Sequence, residues 1–396
     1  MNAPTFADWA LVFLQALYRT QIALAHGLHA LGLTGDADGQ PAWPWARRVA
    51  LETLRIDAGL TRQLAFAAAA TATALAVALA SVAFASRKWR IASALAALAA
   101  CWFAPWPPAA LWLAPAVPTS FQRDPAPFSV SNVMRGAHLY AQHCAACHGT
   151  DGRGEGPLAA TLAHWPPTFA GALLARRLDG ELFWRVRHGM HDERGAPTMP
   201  GFAATLGPQD TWAVLDYLKA LAAGSGAQAE GAWPVPVPLP ALDVRCGGAA
   251  PQPLERWRAG QRVRIVALAP GATPPPEDAR WQTLLVTAHG SPVPPAAGAT
   301  RADCVAATPD AWRAFATIAG VAPDALGGTQ LLADRRGWLR ARALPGSAGW
   351  SDADLLCRAD GRARPAGPAA RGDPVTALLL RVDSEPVRDV QAGLPH

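Results

Sequence analysis

Two uncharged apolar runs dominate the hydropathy pattern of the first third of the chain. Leu64 to Ala85 reads LAFAAAATATALAVALASVAFA, about the ~20 residues a helix needs to cross a bilayer. Ser86-Arg87-Lys88-Trp89-Arg90 interrupts it, and Ile91 to Pro115 is again uncharged, with Trp102, Trp106 and Trp112 toward its far end, as at a membrane interface. The pattern predicts a transmembrane hairpin over 64–118. Residues 1–63 predict amphipathic or partly membrane-embedded helices. Trp9 to Leu33 is apolar but carries Gln15, Arg19 and Gln21, so it reads equally as a third span or as a helix lying on the surface. Arg87, Lys88 and Arg90 place the loop between the runs in the cytoplasm, which sends everything after Pro115 to the periplasm; Arg47, Arg48, Arg55 and Arg62, before the first run, pull the other way. No cleavable signal-peptide pattern is evident, so the spans themselves are expected to direct export.

Downstream the period changes. Met134, Leu139 and Tyr140 share a helical face within 132–144, and Trp212, Leu215 and Leu218 do so within 209–221. Two crossing amphipathic helices therefore predict a small all-α domain over 131–222, with Gly136 admitting a close backbone approach and Tyr217 or Trp212 packing against it. Residues 224–240 are rich in Gly, Ala and Pro and include Trp233-Pro234-Val235-Pro236-Val237-Pro238-Leu239-Pro240, the pattern of an extended linker. Beyond it, 241–396 predicts a mixed α/β domain: strands at Arg262–Ala267 and Gln282–Ala288, a helix at Asp310–Ile318, and a hairpin over Thr329–Ala343 turning at Asp334-Arg335-Arg336-Gly337. The expected fold is thus multidomain, with N-terminal transmembrane helices, an all-α domain and a C-terminal α/β domain.

Composition narrows the function. The 396 residues suffice for two or three domains, and 16% charged with 51% apolar residues excludes a disordered chain. The net charge of +5 comes almost wholly from arginine, Lys88 and Lys219 being the only lysines, and no basic run appears. That is no nucleic-acid footprint.

The chemistry lies in Cys144-Ala145-Ala146-Cys147-His148, a C-x-x-C-H sequence. Two thiols three positions apart on a helical turn reach the two vinyl groups of one porphyrin, and the adjoining imidazole then lies beneath the iron. A redox dithiol needs a βαβ context and a zinc site a second ligand pair, and neither is nearby. One covalent haem c is expected. For the second axial ligand the candidates are Met199, in Pro197-Thr198-Met199-Pro200-Gly201-Phe202, and Met190; flanking prolines stiffen the loop and favour Met199. His188 and His191 would instead give bis-histidine ligation.

These residues resemble class I cytochrome c. The resemblance runs from Ser131 to about Leu221 and includes Arg135-Gly136-Ala137-His138-Leu139-Tyr140, Gly152-Arg153-Gly154-Glu155-Gly156-Pro157 and Trp212-Ala213-Val214-Leu215-Asp216-Tyr217-Leu218. It implies that Cys144 and Cys147 hold haem, that His148 and Met199 ligate iron, and that the Pro157 carbonyl accepts a hydrogen bond from the proximal imidazole. The preceding helices with Pro118-Thr119-Ser120-Phe121-Gln122-Arg123-Asp124-Pro125 more loosely resemble the end of the copper-resistance protein D family where it is fused to a cytochrome c. Gly327 to Arg340 is similar to the terminal hairpin of thioredoxin-like proteins, but Leu268-Ala269-Pro270-Gly271-Ala272-Thr273 stands where an active member carries C-x-x-C. Cys246, Cys304 and Cys357 are expected to form one structural disulfide and leave one buried thiol, and Cys101 to pack in an apolar segment.

With histidine and methionine ligands the potential should be comparatively positive and the iron closed to small molecules, which leaves electron transfer rather than enzymatic turnover. The expectation is a cytochrome anchored in a bacterial inner membrane, its haem and C-terminal domains in the periplasm. It would pass single electrons between protein redox partners, alone or as a subunit of a membrane complex. The alternative is a copper- or thiol-handling protein using the haem domain as a relay. Against it stand the missing C-x-x-C and the lack of Met-rich or His-rich clusters.

Overall fold

A computed structural model describes residues 6–50, 58–84, 86–171, 173–174, 177–234, 236–247, 249–288, 304–306, 308–347, 349–357, 373–385 and 387. Arg55, Ala85 and Val235, which entered the readings above, lie outside the described residues. The chain divides into two compact units, Met1–Phe121 and Gln122–His396.

In the first unit, helix α1 (Phe6–Ala30) is followed by two short ladders, Asp36–Ala37 with Gln40–Pro41 and Arg47–Arg48 with Ala114–Pro115. Helix α2 (Ala58–Phe84) and helix α3 (Arg87–Phe103) form the expected hairpin, tied by a 2.6 Å hydrogen bond between the hydroxyls of Ser81 and Ser93. At 1.5 Å per residue α2 is about 40 Å long and spans a hydrocarbon core of about 30 Å, whereas α3, at about 25 Å, falls short. Among the described residues one helical stretch, Arg62–Val82, is long and apolar enough to cross a membrane. The second run, Ile91 to Pro115, is therefore not one continuous span. Ala104, preceding Pro105, takes an extended backbone, and the indole of Trp106 folds back to donate to the Cys101 carbonyl at 2.7 Å. Phe66, Leu79, Leu98, Trp102 and Phe103 point outward from the hairpin. Arg47, counted above as a topological signal, donates to the Leu113 carbonyl at 3.1 Å, and Arg48 is buried.

In the second unit Ser129 caps helix α4 (Val130–His143) by accepting from the Asn132 N–H, and α4 buries Val133, Gly136 and Tyr140. A single turn, α5 (Ala145–His148), follows at once. Helix α6 (Asp179–His188) leads into a small hairpin of β1 (Met190–His191) and β2 (Pro197–Met199). Helix α7 (Pro208–Ala229) starts with proline in its first turn, where no N–H is needed. It crosses α4 so closely that a Cβ on Gly136 would lie 1.9 Å from the Ala213 carbonyl oxygen and 2.8 Å from the Tyr217 Cβ, the approach expected from the sequence.

The C-terminal region is sheet-rich. Strands β3 (Asp243–Cys246), β4 (Gln252–Pro253), β5 (Val263–Ala267), β6 (Gln282–Val286), β7 (Cys304–Ala306), β8 (Gln330–Ala333) and β9 (Leu339–Ala343) form one sheet in the order β9-β8-β5-β6-β7-β3-β4. The β5-β6 and β6-β7 pairs are parallel, and the others antiparallel. Helix α8 (Pro309–Ala319) and helix α9 (Pro374–Ser384) complete the region.

The stretch 224–240 is packed instead of serving as a free spacer. Its first residues are the last turns of α7, and a Cβ on Gly224 would lie 2.1 Å from the Thr317 carbonyl of α8. Trp233 and Val237 are buried, and the Leu339 N–H donates to the Val237 carbonyl. Arg342 on β9 donates to the carbonyls of Ala319 and Ala227, joining α8 and α7. One hydrophobic core consequently runs from Val133 and Trp212 through Val237 to Ile265 and Phe315. Composition marked this segment as proline-rich, but alternating apolar side chains on a proline strand also suit a sheet margin that needs few N–H donors.

Candidate haem-binding site

The C-x-x-C-H sequence sits where α4 passes into α5. Cys144 closes α4 by donating its N–H to the Tyr140 carbonyl, and the N–H groups of Cys147 and His148 return to the Cys144 carbonyl at 3.1 and 2.9 Å. Both thiols thus share one helical turn. Gly149, at φ +77°, ends the turn, and the buried Tyr140 hydroxyl fixes that exit by donating to the Gly149 carbonyl at 2.6 Å. Burial pushes the Cys144 thiol up to about 11, with Cys147 adding to the effect.

Burial also lowers the pKa of His148, so the ring is held neutral, as a metal-ligating imidazole must be. The backbone carbonyl of Pro167 acts on the ring as acceptor and offsets part of that shift. His148 Nδ1 is buried without a hydrogen bond of ordinary geometry. The ring stacks on Phe169, with centroids 4.9 Å apart. Here the resemblance misassigned a role: the carbonyl beside His148 belongs to Pro167, while Pro157 is exposed. The cause is the path of the glycine loop. Gly152 and Gly154 both take positive φ, a Cβ on Gly154 would lie 2.1 Å from the Pro166 carbonyl oxygen, and the Phe169 N–H donates to the Gly152 carbonyl at 2.7 Å. Residues 166–169 therefore cross the loop beside His148. Pro166-Pro167-Thr168-Phe169 was the one sequence signal for this crossing, a stiff segment ending in a large apolar side chain.

Met190 and Met199 face each other directly across the β1-β2 hairpin. Met199 is half-buried against the haem-domain core beside Phe202, whereas Met190 is exposed. A Cβ on Gly189 would lie 2.4 Å from the Met199 carbonyl oxygen, so only glycine lets α6 and the Met199 strand approach this closely. His188 points outward, stacked on Trp184 at 3.6 Å with Nδ1 paired to the Trp184 carbonyl, and His191 is exposed. Around them Phe183 stacks on Trp212 at 4.6 Å, and Tyr140 lies 5.2 Å from Tyr217.

The residues present fit haem c: two thiols on one turn, a neutral imidazole against an apolar ring, and a thioether reaching the same core. Among the described residues no group of three His, Cys, Asp or Glu side chains makes another metal site. A cluster that sequence reasoning missed lies at the α4-α7 crossing. Lys219 pairs with Asp179 at 2.9 Å, and Asp216 accepts from Asn132 at 3.4 Å. Burial pushes Asp216 up to about 7, Lys219 opposes this, and Asp124 adds to it.

Such a site belongs to the c-type cytochromes: this chain carries a cytochrome c domain, with covalently bound haem c, and is an electron-transfer haem protein. More particularly, residues 131–218 match the family model of the cbb3-type cytochrome c oxidase subunit III. Among solved structures the chain is similar to a chain of the Kuenenia stuttgartiensis reducing HAO-like protein complex Kustc0457/Kustc0458, at 22% identity and TM-score 0.23, covering 27% of this chain and 50% of that one. It is also similar to the KustC0563 c-type cytochrome, at 28% identity and TM-score 0.19, covering 22% of this chain and 95% of that one. The chain thus spans half the length of the first of these. No curated protein matches it.

Proposed function

We propose that the protein is a membrane-anchored, periplasmic cytochrome with a single haem, passing one electron at a time between protein redox partners. The observation that carries this reading is the donor set. His148 is half-buried against Phe169, where burial favours its neutral form, and the proline-flanked Met199 packs on the same core while Met190, His188 and His191 face outward. When bound, haem c would be held by Cys144, Cys147, His148 and Met199 and would supply a one-electron couple. The role of this chain's residues is then to keep the imidazole neutral and oriented, exclude water, and hold the thioether in place. The anchor is supported by Arg62–Val82 and by the outward apolar side chains of α2 and α3, which water would solvate poorly.

For the C-terminal domain we propose a thioredoxin-like support without thiol chemistry. The parallel β5-β6 pair flanked by the antiparallel β8-β9 hairpin supports that likeness. Cys246 and Cys304 are joined across β3 and β7, and Cys357 is buried, its thiol pushed far up by that burial.

The test is a redox titration of detergent-extracted protein, with absorption spectra of both states and haem counted per chain. One covalent haem, a sulfur-to-iron charge-transfer band, a positive potential and indifference to carbon monoxide are expected. A low potential without the band would assign another ligand, and ready carbon monoxide binding would refute the closed iron.

A further inference from the structure

The segment carrying Met199 is fastened to α6 at three levels. Nearest the methionine, the bare Gly189 backbone abuts the Met199 carbonyl. Further along, the N–H groups of Phe202 and Ala203 donate to the carbonyls of Val186 and Arg187, each at 3.0 Å. At the far end the Arg187 side chain takes over: its Nη1 donates to the Leu206 carbonyl at 2.8 Å, and its guanidinium lies 5.6 Å from the centre of the buried Phe183 ring. Leu206 is buried and stands immediately before Gly207, the residue that opens α7. Residues 203–206 are therefore bracketed by one residue, whose main chain holds Ala203 and whose side chain holds Leu206. A charged donor on a carbonyl is among the stronger protein hydrogen bonds, and here it is partly buried.

We propose that Arg187 is a positioning residue for the axial methionine: by pinning the Leu206 end of the loop it keeps the Met199 thioether in the haem pocket. This rests on Met199 being the axial ligand. Arg187 takes no part in ligation. Without its guanidinium the loop keeps its main-chain bonds at 202–203 but gains freedom toward α7, and states with the thioether withdrawn become more populated.

The test uses full-length haem-loaded protein in detergent, with Arg187→Ala, Arg187→Lys and Arg187→Gln. Imidazole, which competes with the thioether for ferric iron, is titrated while the sulfur-to-iron band is followed. Loss of one charged hydrogen bond corresponds to a factor of about 10 to 100 in such an equilibrium. Arg187→Ala should therefore bind imidazole about 10- to 100-fold more tightly at unchanged covalent haem content. Arg187→Lys, which keeps a charged donor, should recover part of the difference. If the alanine variant does not accumulate, the gap in imidazole affinity between Arg187→Gln and Arg187→Lys is read instead, and equal affinity to wild type in both overturns the proposal. Equal affinity for wild type and Arg187→Ala, with the band intact, overturns the role of Arg187 and leaves Met199 standing. A wild-type protein without the band, or a Met199→Ala variant that keeps it, overturns the ligand reading and this proposal with it.

Discussion

Asp216 is 2% exposed, beside Asp124, Lys219 and Asn132, and burial holds its pKa near 7 against about 3.9 in an unfolded chain. A carboxyl whose folded pKa is raised binds its proton more tightly in the fold. Its contribution is complete below about pH 4 and is lost as pH rises through about 7. Asp216→Asn keeps a neutral side chain of the same shape and removes that dependence. Between pH 5 and 7 the decline of urea stability with rising pH should then become shallower by up to about 1.4 kcal/mol per pH unit, one proton's worth. Parallel slopes in the two proteins would contradict the assignment. At the iron, Met199→Ala should leave the haem attached through Cys144 and Cys147, lower the potential and open the ferrous iron to carbon monoxide, because thioether coordination is lost. Potentiometry and a carbon monoxide difference spectrum check this, and an unchanged potential would transfer the role to Met190 or a histidine.

At the level of elements, two helix contacts fix the second unit, α4 on α7 and α7 on α8. Both depend on glycine where a side chain would meet backbone: Gly136 against Ala213, and Gly224 against Thr317. Backbone cannot swing aside as a side-chain tip can. Gly136→Ala should thus cost at least the ~1–3 kcal/mol of an overpacked core, seen as a lower unfolding temperature and less haem per chain. A variant as stable as wild type would mean that α4 and α7 slide apart freely. Much at this scale was legible beforehand. Both haem-domain helices, the Gly136 approach, the strands at 263–267 and 282–286, the helix at 309–319 and the terminal hairpin follow from local periodicity. The end of α3 was misjudged because hydropathy weighs apolar character and ignores Pro105, Pro107 and Pro108, which deny the helix its donors.

Across the whole second unit, the haem domain and the α/β region share one core, so the C-terminal region buttresses the electron-transfer site. The Cys246–Cys304 disulfide joins the neighbouring strands β3 and β7 across a sequence separation of 58 residues, and its proposed role is structural. Cys304→Ser should lower stability by about 2–4 kcal/mol in thermal unfolding while leaving haem content, potential and the rate of haem reduction unchanged. Loss of electron transfer at normal haem content would instead restore the thiol-handling reading. The first unit has a different logic: α2 and α3 turn apolar side chains outward, the feature on which the proposed anchor rests.

By itself the sequence determined whatever depends on near neighbours: the C-x-x-C-H turn, the proline-flanked methionine, the helical and strand periods, and the apolar run at 64–85. Those features are set by spacing along one chain and need no partner. The tertiary structure alone decided which distant backbone meets His148, that Ala227, Trp233 and Val237 join the core, and that Cys246 pairs with Cys304. It also decided that Arg187 reaches Leu206 and that Asp216 is enclosed with Lys219. Each of these depends on loop paths and helix crossings that bring together residues tens of positions apart, and no local pattern of hydrophobic and polar residues encodes such a meeting.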